Sequence, residues 1–155
     1  MPLYSQSSTE KLLTCHPDLV TVMLYVVEYF DNTIIYGHRS PREQFILYQK
    51  GRKYDVINRK WDIVNPGKVV TYLDGYIKLS KHNKSPSMAV DAVAYPIDWK
   101  DKKRQLYLAG YVMGVAQKLY NDGVIKHLVR CGCDWDRDTQ VKDETFEDLY
   151  HFELI

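Results

Sequence analysis

Two short stretches of the sequence carry histidine and aspartate side chains at spacings that suit metal chemistry. The stretch SKHNKSPSMAVD holds His82 and Asp91 nine positions apart, and DLYHFEL holds Asp148 three positions before His151. Two histidines and one carboxylate, with water in the fourth position, are a common ligand set for catalytic zinc. A further carboxylate beside such a metal could serve as the general base. By residue type alone, this is one arrangement among many.

Asp91 is unusual because of its surroundings in the sequence. It lies inside MAVDAVAYP, residues 88–96, an apolar run that predicts a buried strand. A buried charge without a partner is costly, so Asp91 needs a neighbour that compensates it. His16 and His127 do not lie in comparable motifs, and we interpret them as ordinary surface or core imidazoles.

The elements that must position these residues follow from periodicity and capping signals. Ser7 and Glu10 have the spacing of a capping box, which predicts the start of a first helix. Further helices are predicted over 17–29, 40–51 and 101–123. Strands are predicted over 32–37, 88–96, 125–130 and 150–155. Residues 52–75 contain glycines and a proline, and we expect an irregular segment that lines the site.

Interleaved helices and strands, with the last strands close together in the sequence, predict an α+β fold. We expect an antiparallel sheet with helices on one face. Alternate residues of a strand face opposite sides, so Asp148 and His151 cannot both point to one metal from a regular strand. Asp148 is therefore expected in the turn before the last strand. Glu153 shares the face of His151 and could orient its imidazole.

The composition is that of an ordinary globular protein and gives no reason to expect nucleic acid or a membrane as a partner. The 155 residues are 45% hydrophobic and 26% charged, which predicts one domain over 1–155. The formal net charge of +1 gives no reason to expect nucleic acid as a partner. The apolar run at 19–27 is shorter than the roughly 20 residues needed to span a bilayer, so we expect no membrane insertion and no export signal.

The three cysteines, Cys15, Cys131 and Cys133, cannot all pair within the chain, which suits synthesis in a reducing compartment. A C-x-C motif without further ligands at zinc-finger spacing is a weak metal signal, so we interpret both thiols of CGC as incidental. The acidic stretch at 134–138 is expected to be a solvated turn and not a cation site.

Four ordered motifs resemble the M15 family of metallopeptidases. SKHNKSPSMAVDAVAYP and DLYHFEL resemble its paired zinc motifs, S-x-H, A-x-D and an acid three residues before histidine. YGHRSPREQFILYQKG is similar to its G-x-R-S…Q segment. VRCGCDWDRD is similar to R-W-G-G-D-W, with Cys131 and Cys133 replacing the tryptophan and a glycine. The resemblance runs from about residue 17 to the end of the chain.

This resemblance implies a role for each motif residue. The implied zinc ligands are His82, Asp91 and His151. The implied catalytic side chains are Asp148, as general base, and Arg39, as the donor that stabilises the oxyanion. The implied substrate contacts are Ser80, Gln44 and, on the wall of the cleft, Trp135. For Trp135 a place in the core is an equally open alternative.

The same resemblance implies a function. The family includes phage endolysins that cleave the L-alanyl–D-glutamate bond of peptidoglycan stem peptides. We therefore expect a monomeric zinc endopeptidase of the cell wall, with no separate wall-binding domain, on a fold similar to DD-peptidases and Hedgehog domains. Synthesis in the host cytoplasm and release by a separate membrane-permeabilising protein are expected. A D-Ala-D-Ala carboxypeptidase or dipeptidase, and a non-catalytic zinc-containing binding module, stay open as alternatives.

Overall fold

The computed structural model describes residues 2–155. Its helices are α1 (Gln6–Leu12), α2 (Pro17–Val27), α3 (Pro41–Tyr48) and α4 (Lys102–Asn121). Its strands are β1 (Asn32–Tyr36), β2 (Arg52–Asp55), β3 (Lys60–Ile63), β4 (Ala89–Ala94), β5 (Val129–Gly132) and β6 (Asp148–Leu154). Short 3-10 turns cover Pro66–Lys68 and Lys81–Asn83.

Four strands form an antiparallel sheet in the order β1-β4-β6-β5, and β2 and β3 form a separate hairpin. The predicted α+β fold with an antiparallel sheet is confirmed. The two central strands, β4 and β6, carry the stretches that the sequence singled out. Their register places Asp91 opposite His151 and Ala89 opposite Glu153.

Alternation along the central strands separates the core from the site. Val90, Ala92 and Ala94 of β4, with Phe152 and Leu154 of β6, lie in the hydrophobic core. The apolar side of α4 packs on β4, β5 and β6, and α2 packs on α4. The opposite face of the same strands carries the polar residues, and α3 borders it. Helix α4 thus covers the core side of the sheet, and the opposite side, which α3 borders, carries the candidate site.

Three local predictions differ from the structure. Helix α1 begins earlier than the Ser7–Glu10 pattern predicts, because the Ser5 side chain accepts the N–H of Ser8 and caps it. Residues 52–75, expected to be irregular, contain the β2–β3 hairpin, in which Tyr54 lies opposite Trp61 and packs against it. The fifth strand begins at Val129 and not at residue 125, because the N–H groups of 126 and 127 bind the Asp18 carboxylate.

Within residues 2–155, none of the helices combines the length and the apolar character that crossing a bilayer would require.

Candidate active site

Three donor atoms from distant parts of the chain meet on the polar face of the sheet. Asp91 Oδ1 lies 3.0 Å from His82 Nε2 and 3.1 Å from His151 Nδ1. The two imidazole nitrogens lie 3.2 Å from each other. The three atoms therefore form a nearly equilateral triangle, built from the turn at 81–83 and from the two central strands.

The outer nitrogen of each histidine fixes which atom carries the proton. His82 Nδ1 lies 2.7 Å from the carbonyl oxygen of Gly37, which can only accept, so this nitrogen is the donor. His151 Nε2 lies 2.9 Å from Glu153 Oε2 and donates to the carboxylate in the same way. When both imidazoles are neutral, each turns a lone pair toward Asp91. In that state three lone-pair atoms at such short range repel one another unless a cation lies between them, whereas without a metal a proton on the inner nitrogen of His151 relieves the repulsion.

The size of the triangle fits a metal ion. A tetrahedral divalent ion with bonds of about 2.0–2.1 Å sets its ligand atoms roughly 3.3 Å apart. The observed separations of 3.0, 3.1 and 3.2 Å are close to that value. Metal-bound histidines also usually donate their second N–H to a carboxylate or a backbone carbonyl, as both do here. The group His82, Asp91 and His151 could therefore hold a metal ion.

His82 is positioned by its own turn and by the segment before α3. Ser80 caps the 3-10 turn, and its hydroxyl accepts the N–H of His82. The carbonyl of His82 accepts the N–H of Arg39, and Asn83 donates to the carbonyl of Arg39. These bonds join two segments more than forty residues apart. The buried imidazole, only 1% exposed, is consequently held in a single orientation.

Arg39 holds the second oxygen of Asp91. Its Nη2 lies 3.0 Å from Asp91 Oδ2, and its Nη1 donates to Gln44 Oε1 at 2.8 Å. Gln44 in turn uses its amide hydrogens on Thr71 Oγ1 and the carbonyl of Leu73. Arg39 Nε is buried and has no hydrogen-bond partner among the described residues. The arginine thus anchors Asp91 and keeps one unused N–H beside the cleft.

Asp148 enters the site through an irregularity in the sheet. It is the first residue of β6, not part of the preceding turn as expected, and it lies opposite Gly132. The register between β5 and β6 shifts at this point, so β6 does not alternate regularly from Asp148 to His151. This shift explains how both side chains reach the site although residues at odd spacing face opposite sides of a regular strand. Both Asp148 and His151 line the same cavity.

Gly132 permits this arrangement. A Cβ at this position would lie 2.4 Å from the carbonyl oxygen of Asp148 and 2.9 Å from its Cβ. Only a residue without a side chain allows β5 to approach the start of β6 so closely. Gly132 belongs to the CGC motif, whose thiols are buried, with the two sulfurs in hydrogen-bond contact at 3.1 Å and not joined by a disulfide.

In the metal-free site, the pKa values of Asp91 and His151 depend on each other's charge. Burial opposes ionisation of Asp91, but the neighbouring His82 and the hydrogen bonds from both histidines outweigh it and hold its pKa well below its usual range. Burial alone would lower the pKa of His151, but hydrogen bonds to Asp91 and Glu153, with the charge of Asp148, raise it to about 10. The site therefore attracts positive charge.

Asp148 differs from the other carboxylates of the site. Burial, followed by the negative charge of Asp91, raises the pKa of Asp148 above its usual value. Among the described residues, the only hydrogen bond of its carboxylate is a long one, 3.4 Å, from the backbone N–H of Tyr150. A carboxyl group with a raised pKa and no strong partner is suited to exchanging a proton.

The site opens into a cleft of about 610 Å³. Trp135 forms one wall, with its ring 5.5 Å from that of His151 and its Nε1 bound to the carbonyl of Phe146. Besides Arg39, four basic side chains border the cleft: Lys50, Lys81, Lys84 and Arg130. The cleft can therefore accept a ligand that carries negative charge.

The predicted substrate contacts lie at the cleft but differ in what they can offer. Trp135 presents a wall. Ser80 is buried and its hydroxyl caps the turn of His82. Gln44 is 1% exposed and donates both amide hydrogens to Thr71 and Leu73. Its Oε1 accepts a hydrogen bond from Arg39, so in this structure Gln44 holds Arg39 in place. These substrate contacts stay predictions.

Sequence reasoning missed one residue of the site. Arg130 makes two close contacts with Glu153, its Nε at 2.9 Å and its Nη2 at 2.7 Å, and so fixes the carboxylate that holds His151. The signal was its place in VRCGCDW, immediately before the first cysteine of that segment.

A second group of possible ligands, His16, Asp18 and His127, serves a different purpose. His16 Nδ1 accepts the N–H of Asp18 at the start of α2, and Asp18 Oδ2 accepts three N–H groups from residues 126 and 127. His16 Nδ1 and Asp18 Oδ2 are thus occupied by N–H groups, and a helix N-terminus disfavours a cation. The acidic cluster Asp134, Asp136 and Asp138 caps its own turn through backbone N–H groups.

No family model and no curated protein matches the chain. Solved structures do match it. One is the Serratia marcescens L-Ala D-Glu endopeptidase ChiX, with a TM-score of 0.61 and 22% sequence identity, over 98% of this chain and 89% of that chain. The two proteins share a fold. At this identity the similarity concerns the fold alone.

Proposed function

We propose that this protein is a zinc-dependent peptidase of peptidoglycan that cleaves the L-Ala–D-Glu bond of stem peptides. The observation that carries the proposal is the triangle of His82, Asp91 and His151 beside a carboxyl group, Asp148, that has no strong partner. The fold shared with an L-Ala D-Glu endopeptidase supports the choice of bond. The basic rim of the cleft supports a stem peptide as substrate, because its D-glutamate carries a free carboxylate.

Each side chain has a distinct part in this reaction. His82, Asp91 and His151 would hold the zinc ion, which lowers the pKa of a water molecule from 15.7 toward about 7 and polarises the scissile carbonyl. Asp148 removes the proton of the attacking water and transfers it to the leaving amine. Arg39 lines the cleft, has an Nε–H without a partner among the described residues, and stabilises the developing oxyanion. Trp135 orients the substrate along the wall.

A phage endolysin, released to the wall by a separate membrane-permeabilising protein, is the biological setting we propose. It follows from the family resemblance. A D-Ala-D-Ala carboxypeptidase or dipeptidase would use the same donors. A non-catalytic zinc module would have no need of Asp148, whose raised pKa and place at the cleft favour catalysis.

The test is digestion of purified peptidoglycan by the zinc-loaded protein, with the products identified by mass spectrometry. The proposal predicts new fragments that begin with D-glutamate. Release of free D-alanine would show the carboxypeptidase instead, and no cleavage at all would favour the binding module. The matched variant is Asp148→Asn, which should retain zinc and lose roughly 10²–10⁴-fold in rate.

A further inference from the structure

The segment 50–84 has a charge balance opposite to that of the remaining chain. It contains nine lysines and arginines and three aspartates, whereas the other residues contain twelve basic and seventeen acidic side chains. The small net charge of the whole chain conceals this division. Since part of the segment also borders the cleft, a basic surface lies next to the candidate active site.

The three aspartates of this segment are each engaged locally, and against nine basic side chains they leave a formal net charge of +6. Asp55 Oδ1 accepts the N–H groups of Ile57 and Asn58. Asp74 Oδ1 accepts the N–H groups of residues 76, 77 and 78. Asp62 pairs with Lys60 at 3.1 Å.

Several cations of the segment, by contrast, are left without acidic partners. Among the described residues, no ion pair includes Lys53, Arg59 or Lys78. The segment therefore presents free positive charge to its surroundings.

The two turns that an aspartate caps have the same arrangement of residues. In residues 55–60, Asp55 accepts the N–H of Ile57, whose side chain is 92% exposed and precedes Arg59 and Lys60 in the chain. In residues 74–78, Asp74 accepts the N–H of Ile77, whose side chain is 90% exposed and precedes Lys78. We call these segments the two isoleucine turns. Each holds an aliphatic side chain almost fully in solvent, beside a cation, on a backbone fixed by hydrogen bonds.

The isoleucine turns belong to one surface. The ring of Phe45 on α3 lies 5.7 Å from that of Trp61, next to the first turn, and 5.7 Å from that of Tyr76 in the second turn. One aromatic cluster thus supports both turns. Around it lie further exposed aliphatic and aromatic side chains: Val56, Ile63, Val64, Tyr72 and Tyr76.

We propose that the isoleucine turns form a peripheral binding surface for an anionic phospholipid bilayer. Cations beside exposed aliphatic and aromatic side chains match a surface with phosphate headgroups above hydrocarbon. The charges attract the headgroups, and Ile57 and Ile77 enter the interface. A hydrophilic wall polymer could neutralise the lysines, but it offers no apolar environment to two isoleucines. The proposal is independent of the peptidase function.

The experiment is cosedimentation of the full chain with vesicles at physiological ionic strength. Vesicles of equal parts phosphatidylglycerol and phosphatidylcholine should bind the wild type, and vesicles of phosphatidylcholine alone should not. The variant Arg59→Gln/Lys78→Gln should bind roughly fivefold more weakly for each charge removed. The variant Ile57→Ser/Ile77→Ser should lose roughly tenfold or more because its apolar tips are gone.

The matched control is Ile97→Ser/Lys103→Gln, which removes the same side-chain types from an exposed region elsewhere. It should bind as the wild type does, and circular dichroism should show all variants folded. Equal binding of the wild type to both vesicle types, or unchanged binding by both turn variants, would overturn the proposal. So would binding to purified peptidoglycan, sensitive to the same variants, without binding to vesicles. No result depends on peptide hydrolysis, so a failed peptidase assay is a separate outcome.

Discussion

His151 donates its outer N–H to Glu153, two positions further along the same face of β6, over 2.9 Å. Arg130 on the neighbouring strand holds the same carboxylate. This chain from arginine to glutamate to imidazole determines which nitrogen of His151 faces Asp91. Burial opposes ionisation of Glu153, but His151 and Arg130 lower its pKa below the usual value, so the carboxylate stays charged.

The variant Glu153→Gln should therefore weaken zinc binding. Loss of the charge that orients the imidazole typically costs 10–100-fold in metal affinity, which sets the rough size of the effect. Competition with a chromophoric chelator measures it directly. Glu147→Gln is the control, because Glu147 forms an exposed pair with Lys102 and, among the described residues, makes no ion pair with His82, Asp91 or His151. An unchanged zinc affinity in Glu153→Gln would show that this contact is structural only.

The pKa of Asp148 gives a prediction about stability. A carboxyl group whose pKa is raised on folding binds its proton more tightly in the folded state. The stabilisation that this protonated carboxyl provides is therefore fully present below its pKa in the unfolded state, about 3.9. It is lost as the pH rises through its pKa in the folded state. At neutral pH the charged Asp148 destabilises the metal-free protein.

The metal-free Asp148→Asn variant should accordingly melt at a higher temperature than the wild type at pH 7. The difference should shrink as the pH falls toward about 4, where both side chains are neutral. Calorimetry in the presence of a chelator provides the measurement. A variant that is less stable than the wild type at neutral pH contradicts the assignment of an unpaired carboxylate.

Gly132 provides a test of how β5 positions Asp148. In Gly132→Ala the new Cβ would meet the backbone of Asp148 at 2.4 Å, so the strands must separate. We expect the free energy of unfolding to fall by roughly 1–3 kcal/mol, as in other overpacked sites, and peptidase activity to fall with it. Chemical denaturation and the digestion assay measure the two effects.

The matched control for that substitution is Gly110→Ala in α4, where an added Cβ meets nothing within 4 Å. Alanine at this exposed helical position should stabilise the protein by roughly 0.5–1 kcal/mol. Equal effects of the two substitutions would mean that the close approach at Gly132 has no role.

Arg39 can be tested with a substitution that keeps its charge. Lysine can pair with Asp91 but lacks the second and third nitrogens, so Arg39→Lys removes the contact to Gln44 and the free Nε–H. We expect kcat to fall by roughly 10²–10³ with zinc content near normal, as for the loss of one oxyanion donor. Arg42→Lys on the exposed side of α3 is the control. A normal kcat with lowered zinc content would make Arg39 an anchor of Asp91 only.

The fold class and the elements that carry the site could be predicted because their signals are local. The apolar run around Asp91 marks β4, and Ser40 followed by Pro41 marks the start of α3. Other features depend on contacts between distant residues. The hairpin at 52–63 is stabilised by packing of Trp61 on Phe45.

The details of the site depend on such distant contacts as well. The register shift that brings Asp148 to the cleft depends on Gly132 in another strand. Spacing in one strand can show that Asp148 and His151 conflict, but it cannot show how the sheet resolves the conflict. The contact of Gln44 with Arg39 likewise appears only when α3 is placed against the loop at 71–73.

The central claim is that three side chains converge on one metal ion. Anomalous diffraction at the zinc absorption edge, from crystals of the zinc-loaded protein, tests it most directly. The account predicts a single strong peak about 2.0–2.2 Å from His82 Nε2, Asp91 Oδ1 and His151 Nδ1. A crystal with no peak at these atoms, or with its zinc at His16 and His127, would contradict it.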